Sequence, residues 1–82
     1  MAQVAVTVKI YPAEGVDIEA LKSKVEERAR EVHIEDIGFG IKLLKALFVI
    51  PDAEGGTDKL EEELKAIDGV SNVEVVGASR LG

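Results

Sequence analysis

The chain is predicted to fold as an α+β split βαβ sandwich, a four-stranded antiparallel sheet with two helices packed on one face. Three observations predict it. Gln3 to Tyr11 alternates strictly between apolar and other residues, and Ile41 to Ile50 is an apolar run bounded by Gly40 and Pro51. Ile18, Leu21 and Val25, and later Leu60, Leu64 and Ile67, recur at spacings of three and four residues. The resulting order is strand, helix, strand, strand, helix, strand. Right-handed crossovers place the first and third strands at the centre of such a sheet, and these two carry the clearest strand patterns.

The first strand puts Val4, Val6, Val8 and Ile10 on one face and Ala5, Thr7, Lys9 and Tyr11 on the other, and Pro12 stops it. After the turn Pro12-Ala-Glu-Gly15, Asp17 is placed to cap a helix whose apolar stripe runs Ile18, Leu21, Val25, Ala29 and Val32. Its other face, with Glu19, Lys22, Glu26, Glu27, Arg30 and Glu31, reads as a solvated surface. Val32 to Ile37 alternates briefly and is charged, as expected of a short edge strand.

In the third strand Leu44, Ala46, Phe48 and Ile50 form an unbroken apolar face and are assigned to the core. The opposite face, Ile41, Leu43, Lys45, Leu47 and Val49, carries a lysine in its middle. Pro51 to Gly56 forms a loop, with Thr57 or Asp58 capping the second helix and Gly69 ending it in the left-handed conformation. Val70 to Val76 is the last strand, Val73 and Val75 sharing a face, and Gly77 to Gly82 reads as a tail.

At 82 residues the chain has the size of one domain over residues 1–82, with a single core. The absence of cysteine excludes disulfides, thiolate metal sites and Cys nucleophiles. Neither a signal-peptide pattern nor a transmembrane run is present, which gives a cytoplasmic expectation with no membrane partner. A net charge of -6 argues against direct nucleic-acid binding, because neutralising phosphates requires clustered Lys and Arg. An acidic protein of this size points to a protein partner.

Candidate chemistry is sparse. His33 lies near Glu35 and Asp36, but no second His or Cys completes a metal shell. Gly55-Gly56-Thr57 precedes a helix and could cradle a phosphate, yet the Walker lysine is absent and Asp52, Glu54 and Asp58 give the wrong local charge. Ser23, Ser71 and Ser79 have no context that makes any of them a nucleophile. Small acyl-phosphate hydrolases share this topology, but no glycine-rich loop with an arginine lies beside the first strand. No cofactor is implied and nothing demands an enzyme.

The sheet face away from the helices should display Thr7, Lys9 and Tyr11 beside Leu43, Lys45, Leu47 and Val49. Base stacking on such a face needs several aromatics, and only Tyr11 is available. A self-associating or ligand-sensing domain would instead pair sheets weakly through Leu43, Leu47 and Val49. Gly38-Phe39-Gly40 has a sharper meaning: the flanking glycines let the hairpin turn Phe39 inward as a lid on the core or outward as an interface anchor. The outward reading is favoured, because the third strand already has its core face.

Four stretches carry a resemblance: Val6 to Pro12 (Val-Thr-Val-Lys-Ile-Tyr-Pro), Gly38 to Lys42 (Gly-Phe-Gly-Ile-Lys), Pro51 to Lys59 (Pro-Asp-Ala-Glu-Gly-Gly-Thr-Asp-Lys) and Gly69 to Val76 (Gly-Val-Ser-Asn-Val-Glu-Val-Val). In this order they resemble the archaeal elongation factor 1-beta family and the exchange domain of its eukaryotic relatives. The resemblance implies a ferredoxin-like nucleotide exchange domain that binds the GTPase elongation factor 1-alpha and accelerates release of its GDP, without chemistry of its own. It implies partner-binding residues at Gly38, Phe39, Gly40, Lys42 and Arg80. Phe39 would enter a pocket on the GTPase, and Arg80 would stand for the family's basic residue near the C-terminus that disturbs the Mg²⁺ and phosphate site. Here Arg80 precedes Leu81 and Gly82, where eukaryotic relatives have a lysine just before a terminal apolar residue. Val32 to Ile37 departs most, and a shortened second strand is expected there.

Overall fold

The computed structural model describes residues 2–81, so Gly82 of the expected tail lies outside the described residues. The elements are β1 (Gln3–Pro12), α1 (Ile18–Glu26), β2 (Glu31–Gly38), β3 (Ile41–Pro51), α2 (Gly56–Lys65) and β4 (Val70–Leu81). They form one antiparallel sheet in the order β2-β3-β1-β4, with β1 and β3 central as the topology requires. The fold is the α+β, ferredoxin-like arrangement expected from the element order.

β1 holds the sheet together because it pairs on both sides. Val4 stands opposite Ile50 and Ile10 opposite Leu44 on β3, while on β4 the partners of Val4 and Ile10 are Arg80 and Val73. The alternation of β1 sends Val6, Val8 and Ile10 to the helix-bearing face, where all three are fully buried. There they meet Leu44, Ala46 and Phe48 from β3, Leu21 and Val25 from α1, Leu60 and Leu64 from α2, and Val32 and Val73 from the edge strands. Ile50, Ile18 and Ile67 pack at the margin of this cluster. Leu43 is only 2% exposed although it lies on the other face, opposite Glu35 and one step along from the Ile10–Leu44 pair, which brings Tyr11 beside it.

Five local expectations are corrected. Helix α1 is capped by Asp17, which accepts the Glu19 N–H at 3.1 Å, but it ends at Glu26 rather than running on to Val32. Ala29 still closes a last helical turn, its N–H donating to the Val25 carbonyl at 2.9 Å, but the Arg30 N–H donates to the Leu47 carbonyl at 2.7 Å and opens β2, in which Val32 pairs with Ala46. Strand β2 therefore spans Glu31–Gly38 and is not shortened to Val32–Ile37.

The cap of α2 is the backbone of Gly55 at φ 75, with no side-chain bond, and Thr57 and Asp58 sit in the first turn. Gly69 is left-handed at φ 100 as expected, but α2 stops earlier, with Ala66 as its C-cap. The expected tail from Gly77 is strand as far as Leu81, opposite Gln3. Between Thr7–Gly77 and Val8–Val75 the register shifts, leaving Val76 as an extra bulge residue. That bulge resets the alternation, so a period-two pattern read from Val73 and Val75 ends there while the strand continues.

The core makes a direct prediction. Leu44 is fully buried, so Leu44→Ala is expected to lower the unfolding free energy by roughly 2–5 kcal/mol. The exposed Ser79→Ala is expected to stay within about 0.5 kcal/mol in the same denaturant melts. Equal effects would place the core elsewhere.

Candidate functional site: an apolar hairpin tip and a distant arginine

Strands β2 and β3 are joined by the shortest kind of hairpin loop, Phe39-Gly40, with Gly38 and Ile41 as the last opposed pair. Phe39 and Gly40 have φ values of 57 and 75, the positive values that a type I′ turn demands of both central residues. Glycine meets that demand without strain, whereas a phenylalanine there costs about 1 kcal/mol from contact of Cβ with the following carbonyl. Preceding it, Gly38 at φ 95 donates its N–H to the Asp36 carboxylate at 2.9 Å, a side-chain turn that fixes the approach to the loop.

The strained residue is also the most exposed large apolar side chain, at 101% for Phe39. It is therefore an outward aromatic and not a lid. Ile37, the bulged residue between the Asp36–Lys42 and Gly38–Ile41 pairs, and Ile41 are exposed at 47% and 54%, so the tip presents three apolar side chains together. Sequence reasoning assigns Ile37 and Ile41 no site role, although an isoleucine on each side of Gly-Phe-Gly is a readable signal. Lys42 stands opposite Asp36 at the base of the tip and is exposed.

Arg80 is elsewhere. It pairs with Val4, which in turn pairs with Ile50, so it lies at the other end of β3 from the tip. At about 3.3 Å per residue this is roughly 30 Å from Ile41, in a molecule whose longest axis is 41 Å. Its Nε contacts the Asp52 Oδ2 at 2.9 Å and its side chain is 74% exposed. The structure thus brings Gly38, Phe39, Gly40 and Lys42 together and leaves Arg80 apart.

The weaker candidates have plain roles. The Ser23 hydroxyl donates to the Glu19 carbonyl at 3.3 Å, and that of Ser71 to the carbonyls of Tyr11 and Pro12 at 3.1 and 3.2 Å. His33 is exposed opposite Lys45, and no metal-binding group of acidic, His or Cys side chains occurs among the described residues. Beside Gly55 and Gly56 an open cavity of about 380 Å³ is lined by Arg28 and Lys59 but also by Glu54 and Glu63, and Glu63 already pairs with Arg28. No helix among the described residues is long and apolar enough to cross a membrane.

Fold and tip together define a small ferredoxin-like domain that presents an exposed apolar knob. Residues 5–81 match the model of the EF-1 guanine nucleotide exchange domain. The chain is 43% identical to elongation factor 1-beta of Methanothermobacter thermautotrophicus, covering 99% of both chains. Elongation factors 1-beta of Sulfolobus acidocaldarius and Aeropyrum pernix are each 38% identical, covering 96% and 99% of this chain and 97% and 99% of their own. The chain belongs to the EF-1 guanine nucleotide exchange domain family. Its function is guanine nucleotide exchange in translation elongation, and it is not an enzyme.

Strain at the tip predicts an unusual stability effect. Phe39→Asn puts a residue tolerant of positive φ into the turn and removes no buried contact, so unfolding free energy should rise by about 0.5–1 kcal/mol. A denaturant melt showing a loss above about 2 kcal/mol would mean that Phe39 packs on the protein after all.

Proposed function

We propose that the domain grips elongation factor 1-alpha through the Phe39 tip and speeds release of its GDP by bringing Arg80 to the Mg²⁺ and phosphate site. The observation that carries this reading is Phe39, fully exposed and held at positive φ between two glycines. An aromatic held outward in a strained turn leaves apolar area in water, and a partner pocket that buries it recovers that area. Ile37 and Ile41 form the rim of that contact, and Lys42 lies beside it.

Arg80 supplies the second half. A cation brought close to Mg²⁺ repels it, and a nucleotide that depends on the metal for affinity then leaves sooner. Arginine keeps its charge at any working pH but presents a planar fork in place of the point charge of lysine. The competing reading, weak pairing of open sheet faces, has less to drive it: Leu43 is already covered at 2% exposure, and Lys9 directly faces Lys45.

The test is the dissociation rate of labelled GDP from the cognate elongation factor 1-alpha. Substoichiometric protein should accelerate it, since an exchange factor turns over, and Arg80→Ala should slow release while leaving the complex formed. Free Mg²⁺ should oppose the wild-type protein more than Arg80→Ala. No acceleration at excess protein would remove the function, and equal Mg²⁺ sensitivity would place Arg80 outside the mechanism.

A further inference from the structure

We infer that Asp52 is a positioning residue for Arg80, a latch that holds the guanidinium against the protein's own sheet until the partner displaces it. This rests on the reading of Arg80 given above.

The carboxylate is itself held in place. Asp52 follows the last residue of β3, and its backbone N–H donates to the Ala2 carbonyl at 3.1 Å, carrying the β1–β3 pairing one step beyond Gln3–Pro51. Arg80 is fixed from the other side, opposite Val4 on β4. Since Val4 packs on the core, Arg80 lies on the helix-bearing side of the sheet, and its side chain reaches past the end of β1 to Asp52. The contact uses Nε at 2.9 Å, and the side chains of Arg80 and Asp52 are 74% and 31% exposed. The pair is open to a competitor.

Charge decides what the pair does. A guanidinium beside a carboxylate has little net charge, so the closed pair repels a nearby Mg²⁺ far less than a free arginine does. Arg80 must leave Asp52 to act. An exposed ion pair shifts such an equilibrium by a factor of about two to five, which biases the free protein yet yields to the denser charge of phosphate oxygens. Among the described residues the one other ion pair is Arg28, in the connection after α1, with Glu63 on α2.

Asp52→Asn tests the latch because it keeps the size and the backbone bond and removes the charge. At saturating protein, GDP release from the cognate factor should be about two- to fivefold faster than with wild type. The gain should vanish in the double variant with Arg80→Ala, and Asp52→Glu should restore the wild-type rate. Asp52→Asn that is equal to or slower than wild type overturns the inference, as does a gain that persists without Arg80. If wild-type protein itself fails to speed release, the functional reading falls and this inference with it. If wild type is active and only the Asp52→Asn result fails, the functional reading stands and the latch alone is rejected.

Discussion

Pairing of β1 with β3 in the middle of the sheet is the constraint on which the rest depends. The register from Val4–Ile50 to Ile10–Leu44 puts Val6, Val8 and Ile10 on the same face as Leu44, Ala46 and Phe48, and both helices close over that face. A slip of one residue would turn every one of these side chains to the opposite side, so burial specifies the register strongly. The same register determines where the functional groups stand. It carries the β2–β3 turn beyond one end of the core and brings Asp52 and Arg80 together at the other.

In the proposed function this separation would give the two ends different tasks. In the proposed reading the tip contributes apolar area that a partner pocket would bury, and its one cation, Lys42, stands opposite Asp36. Arg80 has charge but little contact area of its own, and its neighbour Asp52 partly cancels that charge in the free protein. A rigid sheet between them fixes the span. On the proposed reading a partner that engages Phe39 would meet Arg80 at a set distance, because Gly77 to Leu81 is held in β4 against β1.

The central strands and the core were legible because valine, isoleucine and leucine repeat there with an uninterrupted period of two. Asp17 was legible as a cap for a similar local reason, a short polar side chain placed just before an apolar stripe. What failed involved a choice between local and long-range partners. Val32 fits helical spacing but belongs to β2, and the bulge at Val76 broke the alternation that would have extended β4 to Leu81. The outward Phe39 was legible from its glycines, whereas the Asp52–Arg80 contact joins residues far apart in sequence and left no local signal.

The division of labour between the ends is tested most directly by the rate of GDP release as a function of protein concentration, compared for wild type, Phe39→Ala and Arg80→Ala. Loss of an interface anchor of about 2 kcal/mol should move half-saturation of Phe39→Ala up by about thirtyfold and leave the plateau unchanged. Arg80→Ala should do the reverse, with a lower plateau at nearly the wild-type half-saturation. A lowered plateau for Phe39→Ala, with half-saturation unmoved, would contradict the assignment of affinity to the tip and rate to the arginine.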